Sequence, residues 1–208
     1  MLINMTLNDF LDETASGSPA PGGGSVSALV GALGAALSSM VCELSIGKEI
    51  ESETRKKIQG ASKISRDLIT SLKEGVDRDT EVFNKVMEAF KMLKSSDEEK
   101  QKRTASIQHA LMEAADEPYE TALLCVDVMN VAYDMLKIGN KHAASDASVS
   151  GFLAYAALNG AIYNVKININ SIKDIEYVSK MRSRVESLIL EGEELLSKIK
   201  LLSAEIIG

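Results

Sequence analysis

The stretch PGGGSVSALVGALGAALSSMVCELSIG, residues 21–47, decides the fold. From Thr14 to Cys42 the chain carries no charged residue, and after the glycines nothing breaks a helix until Gly47. Positions four apart lie along one side of a helix. The rows Gly24, Ala28, Ala32, Ala36 and Ser27, Gly31, Ala35, Ser39 are small throughout, whereas Leu29, Leu33, Leu37, Val41 are large and apolar. The pattern predicts a helix from about Ser25 to Ile46, closed by Gly47. Its smooth face suits close backbone packing, beside a conventional apolar stripe. The segment is long enough to span a bilayer. However, its Pro/Gly-rich opening, its serines and the lack of flanking positive charge point to a buried core helix.

Working outward, Thr6 and Asp9 resemble a capping box that opens a short helix through about Thr14. Ala15 to Gly24 is a loop dense in turn residues. Beyond Gly47, apolar positions recur in steps of three and four from Ile58 to Leu93, predicting a long helix over about Glu51–Leu93 with Gly60 and Gly75 as bends or close contacts. Ser95-Ser96-Asp97 supplies a turn and an N-cap for the next helix. Pro118 is expected to interrupt or kink it, with a further helix from Pro118 to Ile138 stopping at Gly139-Asn140. The segment from about Ala143 to Ile167 is again rich in small residues. Ser171 is then expected to cap a last amphipathic helix carrying Val178, Met181, Val185, Leu188, Leu195 and Ile199. No strand pattern and no internal repeat occurs. The expectation is one all-α domain over residues 1–208, a bundle of about six or seven helices with short connections.

Composition agrees with helix packing. Aromatic residues are 4% of the 208-residue chain, with no Trp, so Leu, Ile, Val, Ala and Met must build the core. A net charge of −7 argues against nucleic acid as a partner, which needs a basic footprint, but leaves room for an anionic small molecule. Cys42 and Cys125 stand alone and read as buried reduced thiols of a cytoplasmic protein. The N-terminal MLINMTLNDFLDE has no basic n-region or cleavage site, so no secretory signal is expected.

Three places carry polar groups fit for chemistry. Glycines directly before a helix expose N–H groups and the positive dipole end, suiting a carboxylate, a phosphate or a developing negative charge. A tight structural turn uses the same ingredients. No GK[ST] follows, so the loop is not a P-loop. In Val76-Asp77-Arg78-Asp79-Thr80, two carboxylates at spacing two do not share a helix face. One is expected to point inward while the other is solvated; Asp79, on the side of Phe83 and Val86, is the candidate acid or base. The third is Gly139 to Asp146, which joins two helices, with Asn164, Asn168 and Asn170 at the far end of the second. His142 has no Cys or acidic cluster at ligand spacing, so no metal is assigned. Neither His109 nor His142 has a Ser or Cys elbow to pair with.

Taken together, PAPGGGSVSALVGALGAAL (19–37), VDRDTEVFNKVMEAFK (76–91) and GNKHAASDASVSGFLAYAALNGAIYNVKININ (139–170) resemble, in order, the formiminotetrahydrofolate cyclodeaminase / methenyltetrahydrofolate cyclohydrolase family. The likeness covers essentially the whole chain. It implies an all-helical homodimer, or a multiple of dimers, with a folate site in a groove near the dimer interface and no metal or redox cofactor; the tetrahydrofolate derivative is the substrate. Matched residue by residue, it points to Pro21, Gly22, Gly23, Gly24, Ser25, Lys48, Asp77, Asp79, Asn140, Asp146, Asn164 and Asn168 as site residues. Of these, Asp79 and Asp146 are expected to converge from two helices as catalytic carboxylates, either of them the acid or base, and the rest to contact substrate. Relatives often continue Gly47-Lys48 with basic and aromatic residues, whereas here Glu49-Ile50 follow. The implied reactions are ring closure of 5-formiminotetrahydrofolate with release of ammonia, and hydrolysis of 5,10-methenyltetrahydrofolate to 10-formyltetrahydrofolate. Two other classes compete: a non-catalytic helical dimerisation or adaptor protein, and a helical enzyme for another anionic metabolite.

Overall fold

The computed structural model describes residues 1–47 and 50–208. Among them are six α-helices and no strand: α1 Leu7–Thr14, α2 Gly23–Ser45, α3 Ser52–Lys91, α4 Asp97–Ile138, α5 Ala144–Ile169 and α6 Ile175–Ile207. Single 3-10 turns precede α1, at Leu2–Asn4, and α5, at Lys141–Ala143.

Helix starts follow the cap chemistry. The Thr6 side chain accepts from the Asp9 N–H, and Ser96 with Glu99 forms a full capping box. At α6 the cap is Asp174, whose carboxylate accepts from the Tyr177 N–H, and not Ser171. Ser171 instead ends the preceding turn, its N–H bonded to the Asn168 carbonyl. Pro118 does not divide the chain into two helices either. It lies buried inside one continuous α4, because a proline removes only one backbone bond and the packing of α3, α5 and α6 on α4 holds both halves in line.

Helices α2 and α5 run antiparallel over α4 and approach closely, as their small residues require. A Cβ on Gly34 would stand 3.0 Å from the Ser150 carbonyl oxygen, and one on Gly160 would stand 2.3 Å from Ser27 Oγ. The serines inside this seam are satisfied: Ser38 and Ser150 bond each other at 2.8 Å, and Ser150 Oγ donates to the Gly34 carbonyl at 2.7 Å. The small rows of α2 are thus buried over most of their length, with Ala28 and Ala35 fully so and Ala36 exposed. The large row faces the other way. Leu33 is 52% exposed and Leu29 and Leu37 are half-buried, while Val41 alone of the predicted stripe is fully buried. By length and hydropathy α2 passes as a membrane span, yet α3, α4 and α5 all pack on it, as expected of a core helix.

Candidate active site

At the end of the bundle where α2 begins, a cleft of about 300 Å³ opens among four helices. One wall is the loop Pro19–Gly24. The second is α3, through Asp79, Thr80, Phe83 and Val86; Leu111 and Ala114 of α4 and Asn164 and Asn168 of α5 complete it.

Asp79 is the organising group. One of its oxygens, Oδ2, accepts from the Ser25 N–H at 2.8 Å and from Ser25 Oγ at 2.9 Å. The carboxylate therefore occupies the first turn of α2, where free N–H groups and the helix dipole favour negative charge. Its Oδ1 has no donor among the described residues, and Asp79 lines the cleft. Burial pushes the Asp79 pKa above the ordinary carboxylate range, and the two bonds from Ser25 pull it back in part. Beside it, Glu117 is held by Arg78, whose Nε lies 3.1 and 3.0 Å from its two oxygens. Burial raises Glu117 as well, against the pull of Arg78.

The glycines have unequal roles. A Cβ on Gly24 would lie 2.0 Å from Asp79 Oδ1, so this glycine exists for the carboxylate. A Cβ on Gly23 would meet Asn164 Nδ2 at 3.2 Å, whereas Gly22 faces only the Pro19 carbonyl oxygen at 3.9 Å. Pro21 is buried behind the loop. The helix N-terminus is thus largely taken by the chain's own carboxylate, which now presents an acceptor to the cleft.

Both asparagines present the same polarity. Asn164 Nδ2 donates to the Gly160 carbonyl at 2.8 Å, and Asn168 Nδ2 donates to the Ala114 carbonyl. Their Oδ1 atoms accept nothing from the described residues. With Phe83, Val86 and Leu111 as apolar surface, the cleft suits a flat, partly apolar ring that carries several N–H donors.

The other sequence-predicted residues lie elsewhere. Asp77 is 8% exposed on the opposite face of α3; it accepts from the Leu2 N–H, and its second oxygen has no partner. The expectation of one inward and one solvated carboxylate therefore fails, because the Leu2–Asn4 turn covers the face that Asp77 occupies. Asn140 spends its groups on the chain: its N–H donates to Ser45 Oγ, its Nδ2 to the Leu44 carbonyl, and its Oδ1 accepts from the His142 N–H. Asp146 is half-buried in the first turn of α5. Eighteen residues separate it from Asn164, roughly 27 Å along the axis at the usual rise. Asp79 and Asp146 thus do not meet within one protomer. Lys48 lies outside the described residues. Phe83 and Val86, which the helix period placed on the side of Asp79, line the cleft with it, whereas Thr80, Leu111 and Ala114 carry no signal in the sequence.

These features make the cleft the candidate site of an all-helical enzyme for a small molecule. A sequence profile described as formiminotransferase-cyclodeaminase matches residues 6–187. A methenyltetrahydrofolate cyclohydrolase of Methylorubrum extorquens is 37% identical over 94% of this chain and 94% of that protein. The formimidoyltransferase-cyclodeaminase of Rattus norvegicus is 34% identical over 92% of this chain, which spans only 36% of that longer protein. The crystal structure of a formiminotetrahydrofolate cyclodeaminase from Thermotoga maritima superposes with a TM-score of 0.90 over 100% of both chains, at 27% identity. The chain belongs to the formiminotransferase-cyclodeaminase family of folate enzymes.

Proposed function

We propose that the cleft around Asp79 performs one-carbon chemistry on a tetrahydrofolate derivative, at the carbon that bridges N5 and N10. The observation that carries this reading is the acceptor set of Asp79, Asn164 and Asn168 beside an apolar wall, matched to the donor-rich edge of a pterin. In hydrolysis, water adds to the methenyl carbon and gives up a proton. The C–N5 bond of the resulting tetrahedral carbon then breaks, N5 takes a proton, and 10-formyltetrahydrofolate leaves. In cyclodeamination, N10 attacks the formimino carbon, the C–NH2 bond breaks, and the protonated amine departs as ammonia. Either route moves a proton at a tetrahedral carbon between nitrogens, work suited to a carboxylate whose pKa is raised toward neutrality. Burial raises the Asp79 carboxyl in that direction, and Ser25 fixes one of its oxygens in the lining of the cleft.

Hydrolysis is favoured by the Methylorubrum relative, which matches over nearly the whole of both chains. Cyclodeamination is favoured by the Thermotoga structure, equally complete in coverage. The deciding experiment supplies purified protein with each substrate and follows the ultraviolet absorbance of the methenyl species. Loss of methenyl absorbance marks the hydrolase, and its appearance with ammonia marks the deaminase. Silence in both assays would refute the reading.

We further infer a homodimer built on the outward rows of α2 and α5. Leu33, Met40 and Leu44 on α2, with Val149, Phe152, Tyr163 and Ile167 on α5, are each at least 39% exposed. They stand seven and four positions apart along α2 and three, eleven and four apart along α5, near-whole turns that keep each row on one side of its helix. A twofold axis through this face sets the α2 of one copy antiparallel to that of the other. The Asn140–Asp146 end of the partner then approaches the glycine loop of this copy, bringing together residues that one protomer keeps apart. A closed cytoplasmic dimer of this kind predicts sedimentation at twice the chain mass.

A further inference from the structure

Pro118 stands in the interior of α4, where a helix normally closes a bond from the N–H of residue i to the carbonyl of residue i−4. Proline has no N–H, and its ring pushes that carbonyl aside. The carbonyl in question is that of Ala114, which lines the cleft. It is the same oxygen that accepts from Asn168 Nδ2 on α5. The carbonyl that the proline sets free is thus answered by a side chain from another helix.

The consequence for Asn168 is one of polarity. A carbonyl oxygen can only accept, so the amide must turn its NH2 toward α4 and its Oδ1 away from it. Asn164, one turn earlier on α5, is fixed the same way by the Gly160 carbonyl of its own helix. Asn168 at 54 positions' remove from its acceptor has no such local partner and relies on α4.

We propose that Pro118 is a positioning residue for substrate recognition: by freeing the Ala114 carbonyl it locks Asn168 with Oδ1 as an acceptor for a ring N–H donor. A residue unfavourable to helix stability thereby sets the polarity of a recognition group on another helix. The proposal rests on the folate reading for the identity of the donor, but its first step concerns this chain alone.

The test is Pro118→Ala in the full-length protein. The restored N–H competes for the Ala114 oxygen and releases the amide to rotate. The thermal midpoint is expected to stay level or rise, since alanine is the better helix former. KM for the substrate is expected to rise about tenfold with kcat within about threefold, the scale of one hydrogen bond lost in binding. Asn168→Ala should show a similar KM, and the double variant should be no worse than Asn168→Ala alone, the non-additivity of one shared interaction. A proline needed only for structure would lower the midpoint, and effects that multiply in the double variant would overturn the proposal. Pro118→Ser, whose hydroxyl also reaches the carbonyl four residues back, is the second variant and should behave alike. The side-chain amide signals of Asn168, followed by nitrogen-15 NMR, decide the first step without any folate. They are expected to shift and exchange faster in Pro118→Ala, and unchanged signals would overturn the proposal. Lack of turnover of either folate by the wild-type protein would remove the folate reading and leave this NMR result standing.

Discussion

Adding one methyl group at Gly24 should cost this protein most of its activity and little of its fold. The alanine Cβ would lie 2.0 Å from Asp79 Oδ1, 2.5 Å from Cγ and 2.8 Å from Oδ2. Ordinary contact begins near 3.4 Å, so Oδ1 must retreat by about 1.4 Å, the difference between 3.4 and 2.0 Å. That is half the length of the 2.8 Å bond from the Ser25 N–H, and at least one of the two Ser25 bonds must break. A hydrogen bond to a charged group contributes about 1.5–3 kcal/mol. Alanine returns up to about 1 kcal/mol through helix propensity. The net cost is about 0.5–2 kcal/mol, or roughly 1–8 °C in thermal midpoint for a chain of this size. The catalytic cost is larger, because a displacement of about 1 Å at a reacting group costs on the order of a hundredfold. Gly24→Ala should therefore fold with native helicity by circular dichroism and lose about two orders of magnitude in kcat/KM. The control is the same change in an Asp79→Ala background, where there is nothing left to strike. There, Gly24→Ala should be neutral or stabilising. Wild-type kcat/KM in Gly24→Ala, or an equal loss of stability in both backgrounds, would refute the clash and with it the role given to this glycine.

Asp79→Asn should keep the Ser25 contact through its amide oxygen while lowering kcat by about two orders of magnitude or more; near-normal kcat across pH would make Asp79 structural. The same variant carries a stability signature. Burial raises the folded-state pKa of Asp79, so its stabilising contribution is full below the unfolded pKa of about 4 and is lost as pH rises through the folded value. The midpoint of Asp79→Asn minus that of wild type should therefore grow from pH 4 toward neutrality; a constant difference would contradict the shift. Gly23→Val presses on Asn164 and should weaken folate binding by isothermal titration while leaving helicity and midpoint nearly intact; unfolding without separable binding loss would make the loop a structural turn. Leu33→Glu on the outward row of α2 should yield a monomer by sedimentation. Asp146→Asn should lower kcat by a similar two orders in the dimer and matter little in that monomer, already slow; an active Leu33→Glu monomer would remove the shared site.

Much of the fold lies in local chemistry, which is why it was legible in the sequence. A cap bonds residues three apart, so Thr6 with Asp9 and the Ser95-Ser96-Asp97 turn marked helix starts that the structure reproduces. Helix period likewise singled out Asp79 over Asp77, because Phe83 follows it by one turn and lines the same cleft. Where the reading failed, a distant partner decided. Pro118 looked like a break, since helix interiors disfavour proline. Yet the bond it forfeits is recovered in part by Asn168, a residue 50 positions later in the numbering. Asp77 looked exposed because nothing near it in sequence covers it; the N-terminal turn does, from 75 residues away.

The chain's own sequence, then, determined its helical class, the caps at Thr6 and Ser96, the charge-free core segment and the likeness that names its family, because each depends on neighbours within a turn or two or on residue order. Tertiary structure alone decided which face of α2 is inside. Small residues bury there because two backbones meet closely, and this leaves the leucine row outside. Tertiary structure alone also divided the candidate residues between two ends of one bundle. Burial, clash and hydrogen-bond polarity depend on what stands opposite, and no spacing along the chain records that.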